Sequence, residues 1–190
     1  MAEDIFDHLA PIYDLFMDHT FHYAREGIID KLDLEGNPAL LDVGGGTGTL
    51  LKKIKKKESD INPYLLDTSR EMMSESTTDN LVSGKACKTP FEDSSFDYVL
   101  CTDALHHFKN KEKSLEEMMR VLKSGGQIII LEFDPKSLIT KFIEFGEKMI
   151  GESSSFFEPG YLKSFFRERG FSATIVRLDS YKYVLWAAKR

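Results

Sequence analysis

The sequence predicts an α/β protein whose sheet is mostly parallel and closes with an antiparallel hairpin. Three observations carry this reading. Short apolar runs alternate with stretches of helical periodicity along most of the chain. The first run, Ala39–Val43, holds an acid near its end and breaks into Gly44-Gly45-Gly46-Thr47-Gly48 ahead of helix-like sequence. The last two runs are separated only by the Asp179-Ser180 turn, and so short a connection requires antiparallel strands.

Taken in order, Asp4–Met17 and Phe21–Leu32 read as helices. Strands are expected at Ala39–Val43, Asn62–Leu66, Lys85–Cys87, Phe96–Thr102 and Gln127–Phe133. Helices lie between them at Thr49–Lys57, Ser69–Asp79 and Lys111–Leu122, the last closed by Gly125-Gly126 as a C-cap pair. Lys136–Ile150 reads as an amphipathic helix rich in Leu, Ile, Phe and Met, and Gly151–Ser155 as a break. A helix over Gly160–Arg169 is capped by Gly170, and strands Ala173–Leu178 and Lys182–Ala188 finish the chain. The length of 190 residues fits a single domain spanning the whole chain, with enough sequence to bury a core.

The glycine cluster is the first pointer to chemistry. Glycines between a strand and a helix permit positive φ and close approach of a ligand, and the free N–H groups of the helix start attract a polar or anionic group. The dinucleotide fingerprint G-x-G-x-x-G is not met: Gly44 and Gly46 fit, but Thr49 occupies the third position. That mismatch and the C-terminal hairpin argue against a nicotinamide-dependent oxidoreductase.

Bulk properties exclude other classes. The net charge of −6 disfavours a nucleic-acid partner, which usually meets a basic surface. The one strong basic run, Lys52–Lys57, falls at a helix end, where cations complement the dipole. The two cysteines, Cys87 and Cys101, lack C-x-x-C spacing, so neither a disulfide framework nor a metal site is expected. There is no apolar stretch of membrane-spanning length and no signal-like start, which makes a cytoplasmic setting the default. Asn62-Pro63-Tyr64 is similar to the N-P-P-Y motif of amino methyltransferases acting on DNA or protein, but it lacks a proline and precedes the second strand rather than following the fourth.

Six segments in order resemble the class I S-adenosylmethionine-dependent methyltransferases related to the ubiquinone/menaquinone C-methyltransferases. They are Pro11–Asp14, Leu41–Gly48 with its acid before G-x-G-x-G, Leu65–Ser69, Thr89–Asp97, Ala104–Phe108 and Arg120–Gly126. The resemblance implies a Rossmann-like, seven-stranded sheet with helices on both faces, and S-adenosyl-L-methionine as cofactor, released as S-adenosyl-L-homocysteine. It implies Asp67, with Thr68, at the ribose hydroxyls. Asp67 stands roughly 20 residues beyond Gly44, which puts a carboxylate at the tip of the adjacent strand; it also suits an N-cap for the next helix. Asp42, Gly44, Gly45 and Gly46 would face the methionine end, although Asp42 can equally organise the turn. Thr102 or Asp103 would lie near the same end. Where the family often carries an acid after strand three, this chain has Lys85, which leaves the adenine to the backbone of Ala86 and apolar neighbours.

Transfer from a sulfonium needs alignment and desolvation more than a catalytic side chain. His106 and His107 are the candidate general bases, against a packing or capping role. Tyr13 either closes over the methionine end or packs on the sheet. The N-terminal helices over 1–35 and the segment 136–157 would cover the acceptor. The apolar content of the latter points to a small aromatic or lipophilic acceptor, with simple packing on the sheet as the other explanation. A non-catalytic S-adenosylmethionine-binding or partner-binding module of the same fold is the rival reading, because this chemistry can proceed without a catalytic residue.

Overall fold

The computed structural model describes residues 23–149 and 154–189. The predicted first helix, Tyr13 included, lies outside them. Helix α1 (residues 23–29) is followed by β1 (Ala39–Val43), α2 (Thr49–Lys57), β2 (Asn62–Asp67), α3 (Arg70–Met73), β3 (Asn80–Ser83) and β4 (Phe96–Thr102). A 3₁₀ turn (Leu105–His107), α4 (Lys111–Val121), β5 (Leu122–Phe133), α5 (Leu138–Met149), α6 (Pro159–Glu168), β6 (Phe171–Arg177) and β7 (Lys182–Lys189) complete it.

The seven strands lie in the order β3-β2-β1-β4-β5-β7-β6. All pairings are parallel except those of β7, which runs antiparallel to β5 and to β6. The Rossmann-like sheet implied by the resemblance is therefore present. From β1 the chain winds outward to β2 and β3, then returns to add β4 on the other side of β1. This reversal leaves a crevice at the carboxyl ends of β1 and β4, the place where open α/β sheets take ligands.

Burial on both faces explains why the central strands read as apolar runs. Leu41, Val43, Val99, Cys101, Ile128 and Ile130 share one cluster with Leu115 and Met118 of α4 and Phe166 of α6. Leu40, Leu100, Ile129 and Leu131 share the other with Ile28 of α1 and Leu50, Leu51 and Ile54 of α2. Side chains this deeply buried contribute about 1.5–3 kcal/mol each, so the core rather than helix propensity holds the layers.

A polar network fixes the amino ends of the strands. Arg120, at the end of α4, donates to Glu117, to the Phe91 carbonyl (2.9 Å), to Asp93 (2.7 Å) and to Thr89. Glu117 also accepts from the Thr89 N–H at 2.9 Å. The Asp97 carboxylate accepts from the Ala39 N–H (2.9 Å) and from Lys123 (2.7 Å), joining β4 to the start of β1. Two of the family-like segments, Thr89–Asp97 and Arg120–Gly126, are thus two halves of one clamp.

The structure corrects two boundaries, one cap and the facing of one helix. The third strand is Asn80–Ser83 rather than Lys85–Cys87; Lys85 and Lys88 instead close a turn that carries Ala86. The expected helix Ser69–Asp79 shortens to Arg70–Met73. Beyond it Ser74 donates to the Glu71 carbonyl and Ser76 accepts from the Thr78 N–H, so the hydroxyls compete with helical bonding. Gly125-Gly126 does not cap α4, which ends at Val121. The pair sits in a bulge of β5, where the register jumps from Phe96↔Leu122 to Tyr98↔Gln127 and Gly125 takes φ +80°. Finally, α5 turns Thr140 and Glu147 inward, while Leu138, Phe142, Phe145 and Met149 face outward, Phe142 being 77% exposed. Of its apolar residues, Ile143 packs against the second cluster, whereas these four do not cover the sheet.

Candidate active site

The crevice is built by four segments that leave the carboxyl ends of the strands. After β1 the chain turns through Gly44–Gly48 into α2. Gly44 takes φ +73° and donates to the Leu66 carbonyl at 2.7 Å. A Cβ on Gly44 would stand 2.6 Å from that of Ala104, filling the gap between β1 and β4. One on Gly45 would stand 2.7 Å from Asp42 Oδ2, so the acid lies directly beneath the turn. Helix α2 begins at Gly48 without a side-chain cap.

Asp67, at the end of β2, accepts from the Gly46 N–H (2.9 Å) through Oδ2 and from the Ser69 N–H (2.8 Å) through Oδ1. Ser69 then caps α3 by accepting from Met72. Asp67 therefore organises both turns while it remains partly exposed at the mouth. Thr68 is exposed beside it. Ala86 is half-buried in the turn after β3, and the Lys85 side chain is exposed.

Asp42 is 1% exposed, and neither carboxylate oxygen has a hydrogen-bond partner among the described residues. Burial pushes its pKa up to about 7, opposed by the charge of Arg25 and reinforced by Asp67. Across the crevice, Thr102 is buried at the end of β4. Asp103 follows with φ +58°, a strained value for a side-chain-bearing residue, and its buried Oδ1 also lacks a partner among the described residues. Burial raises its pKa to about 7 as well, against the charge of His106. Unpaired buried carboxylates are costly. A ligand bringing positive charge and hydrogen-bond donors to this crevice would relieve that cost, and the sulfonium and ammonium of S-adenosylmethionine match it in sign.

The two histidines separate. His106 is 2% exposed, with Nδ1 between the two Glu132 oxygens (3.0 and 3.1 Å) and Nε2 3.9 Å from Glu147. Phe156 lies against its ring, with centroids 4.6 Å apart. Burial, the largest single effect, works against its charge, but Glu132, Asp103 and Glu147 together outweigh it, and the pKa rises to about 9. At neutral pH His106 thus holds a proton rather than taking one. His107 is exposed, with Nδ1 3.3 Å from the Ser154 hydroxyl.

Sequence reasoning passed over Glu132 and Glu147. The signal for Glu132 was an acid inside the apolar run Ile128–Phe133. For Glu147 it was the i, i+3, i+7 row Thr140, Ile143 and Glu147, the polar-edged side of an otherwise apolar helix.

Residues 41–130 match the methyltransferase domain family. The ubiquinone/menaquinone biosynthesis C-methyltransferase of Pasteurella multocida is 31% identical over 182 residues, covering 82% of this chain and 68% of that protein. This chain belongs to the class I S-adenosylmethionine-dependent methyltransferases. The corresponding enzyme of Hahella chejuensis is 33% identical over 144 residues, 68% of this chain and 58% of that protein. The chain thus spans about three fifths of the length of several such relatives. Among solved structures, a methyltransferase of Thermotoga maritima aligns with TM-score 0.73 at 21% identity, over 98% of this chain and 99% of its own. Human N-acetylserotonin methyltransferase, solved with S-adenosylmethionine, aligns with TM-score 0.72 at 16% identity, over 91% of this chain and 53% of its own. At these identities the structural likenesses speak for the fold. The family's cofactor is S-adenosylmethionine, and the acids of this crevice fit it. Among the described residues, no helix is long and apolar enough to cross a membrane.

Proposed function

We propose that the chain transfers a methyl group from S-adenosylmethionine to a small acceptor of aromatic or lipophilic character. The observation that carries this reading is the buried Asp42 carboxylate, which lies beneath the glycine turn with neither oxygen partnered among the described residues, together with the partnerless buried Oδ1 of Asp103 at the end of the neighbouring strand. A crevice whose carboxylates are held up by burial gains from a cationic cofactor, which favours their ionised forms. The relatives' C-methyltransferase activity supports the reaction class.

In this reading Asp67 and Thr68 hold the ribose hydroxyls. The Ala86 backbone meets the adenine, and Gly44, Gly45 and Gly46 let the backbone approach the methionine portion. Asp42, Thr102 and Asp103 hold its cationic end. The cofactor, when bound, supplies an activated methyl carbon and a neutral thioether leaving group. The chain's own part is to bind, align and exclude water. The buried, carboxylate-held His106 positions the loop after β4; His107, exposed beside the acceptor path, is the base candidate that remains.

Calorimetric titration of the purified chain with S-adenosylmethionine and S-adenosylhomocysteine tests the reading. Saturable micromolar binding of both, weakened about tenfold or more by Asp67→Ala in a still-folded protein, is the expected result. Failure of either ligand to bind would overturn it. Methyl turnover with small phenolic and isoprenoid-linked acceptors separates the enzyme from the non-catalytic module.

A further inference from the structure

We propose that His106, His107 and Glu147 form a binding site for one divalent first-row transition ion, with Zn²⁺ as the best match. One ligand atom from each residue lies within 4.8 Å of the other two. His106 Nε2 and Glu147 Oε1 are 3.9 Å apart, too far for a hydrogen bond. That spacing suits two ligands on either side of an ion, since metal–nitrogen and metal–oxygen bonds of about 2.0–2.2 Å require only a small inward turn of the glutamate.

Three further observations point the same way. Glu147 is 6% exposed and its Oε2 has no partner among the described residues, so a buried acceptor is left over at the site. Glu132 takes the Nδ1 side of His106, so the ion would bind at Nε2 and displace the proton there. Such carboxylate–histidine pairs are the usual outer support of a metal-bound imidazole. Glu132 and Glu147 bring two buried carboxylate side chains to one imidazole, a donor set that suits a dication.

Two nitrogens and one carboxylate favour a borderline ion over Mg²⁺ or Ca²⁺, which prefer all-oxygen sets. Three protein ligands leave a position open on the exposed side of His107. The ion would fasten α5 to the loop after β4. If the methyltransferase reading holds, His107 would serve as a ligand of the ion instead of as a base, and the open position would receive a hydroxyl or enol oxygen of the acceptor and lower its pKa.

The test uses the full chain, stripped with a chelator and without cofactor or acceptor, so that its result is independent of the methyltransferase reading. Zn²⁺ is titrated calorimetrically and Co²⁺ by visible absorption. One ion per chain is expected, with the intense bands of low-coordinate Co²⁺. Losing a ligand in His107→Ala or Glu147→Gln should weaken Zn²⁺ at least as much as the roughly 10–100-fold expected for the supporting change Glu132→Gln. His107 is exposed, so His107→Ala carries the test even if Glu147→Gln fails to fold. Absence of stoichiometric binding, or His107→Ala binding within about threefold of the native chain (less than 1 kcal/mol), would overturn the site.

Discussion

The two ends of this one sheet are built on opposite electrostatic terms. At the amino ends every named acid has a donor: Glu117 sits on Arg120 and Thr89, and Asp97 on Lys123 and the Ala39 N–H. At the carboxyl ends the buried Asp42 has no donor to either oxygen and the half-buried Asp103 none to Oδ1 among the described residues. The pKa shifts follow. The Arg120 hydrogen bonds pull Glu117 down to about 2, whereas burial drives Asp42 and Asp103 up to about 7. One end is satisfied and stabilises the fold. The other satisfies Asp67 and Glu132 but leaves Asp42 and one oxygen of Asp103 without donors among the described residues, as expected where binding energy is to be drawn from desolvated charge.

The sharpest way to break this contrast is Asp42→Asn. Cofactor affinity should fall about 100-fold or more, because a charge-assisted contact is lost. The stability of the ligand-free protein at pH 8 should nevertheless rise by roughly 1–3 kcal/mol, because the amide removes a buried anion. Calorimetry and chemical denaturation read the two effects; a variant that lost both affinity and stability would place Asp42 among the structural acids.

Arg120→Ala should do the reverse. It should cost about 1–3 kcal/mol, mostly from stranded acceptors at Glu117 and the Phe91 carbonyl, with cofactor affinity within about threefold. Part of that cost is discounted because Arg120 is partly exposed. A large loss of affinity at unchanged melting temperature would show that the two ends are coupled.

The pH dependence of ligand-free stability should carry both signs. Glu117 has a lowered folded pKa, so its contribution is complete above pH 4.5 and is lost as pH falls toward 2; Glu117→Gln removes that arm. Asp42 and Asp103 have raised folded pKa values. The folded state therefore holds their protons more tightly than the unfolded chain, and stability declines as pH rises from 3.8 to about 7. Denaturant midpoints across this range, with Asp42→Asn flattening the upper arm, check the signs.

The smallest effect is expected at Lys85, which is exposed in the turn after β3. Lys85→Glu should leave stability within about 0.5 kcal/mol and tighten cofactor binding by no more than about tenfold, about 1.4 kcal/mol for one added acceptor near the adenine. Weaker binding would mean that the lysine itself touches the cofactor.

Strand bounds in the sheet interior were readable because period and burial agree there: Ala39–Val43 and Phe96–Thr102 occur as expected. Readability failed at the edge. Asn80–Ser83 is short, half-exposed and preceded by serines and threonines whose side-chain bonds decide locally between helix and turn. The glycine turn, Asp42 and Asp67 were legible because a backbone turn and an acid at a strand tip are local, ordered features.

By itself, then, the sequence determined the layered α/β class, the strand–glycine–helix turn and its acids, since these depend on spacing along the chain. Only the tertiary structure decided that His106 would be enclosed by Glu132 and Glu147, that Thr89–Asp97 and Arg120 form a single clamp, and that Leu138, Phe142, Phe145 and Met149 of α5 face outward. Those outcomes join residues far apart in sequence, and desolvation, which sets their charge and their use, exists only once the sheet has brought them together.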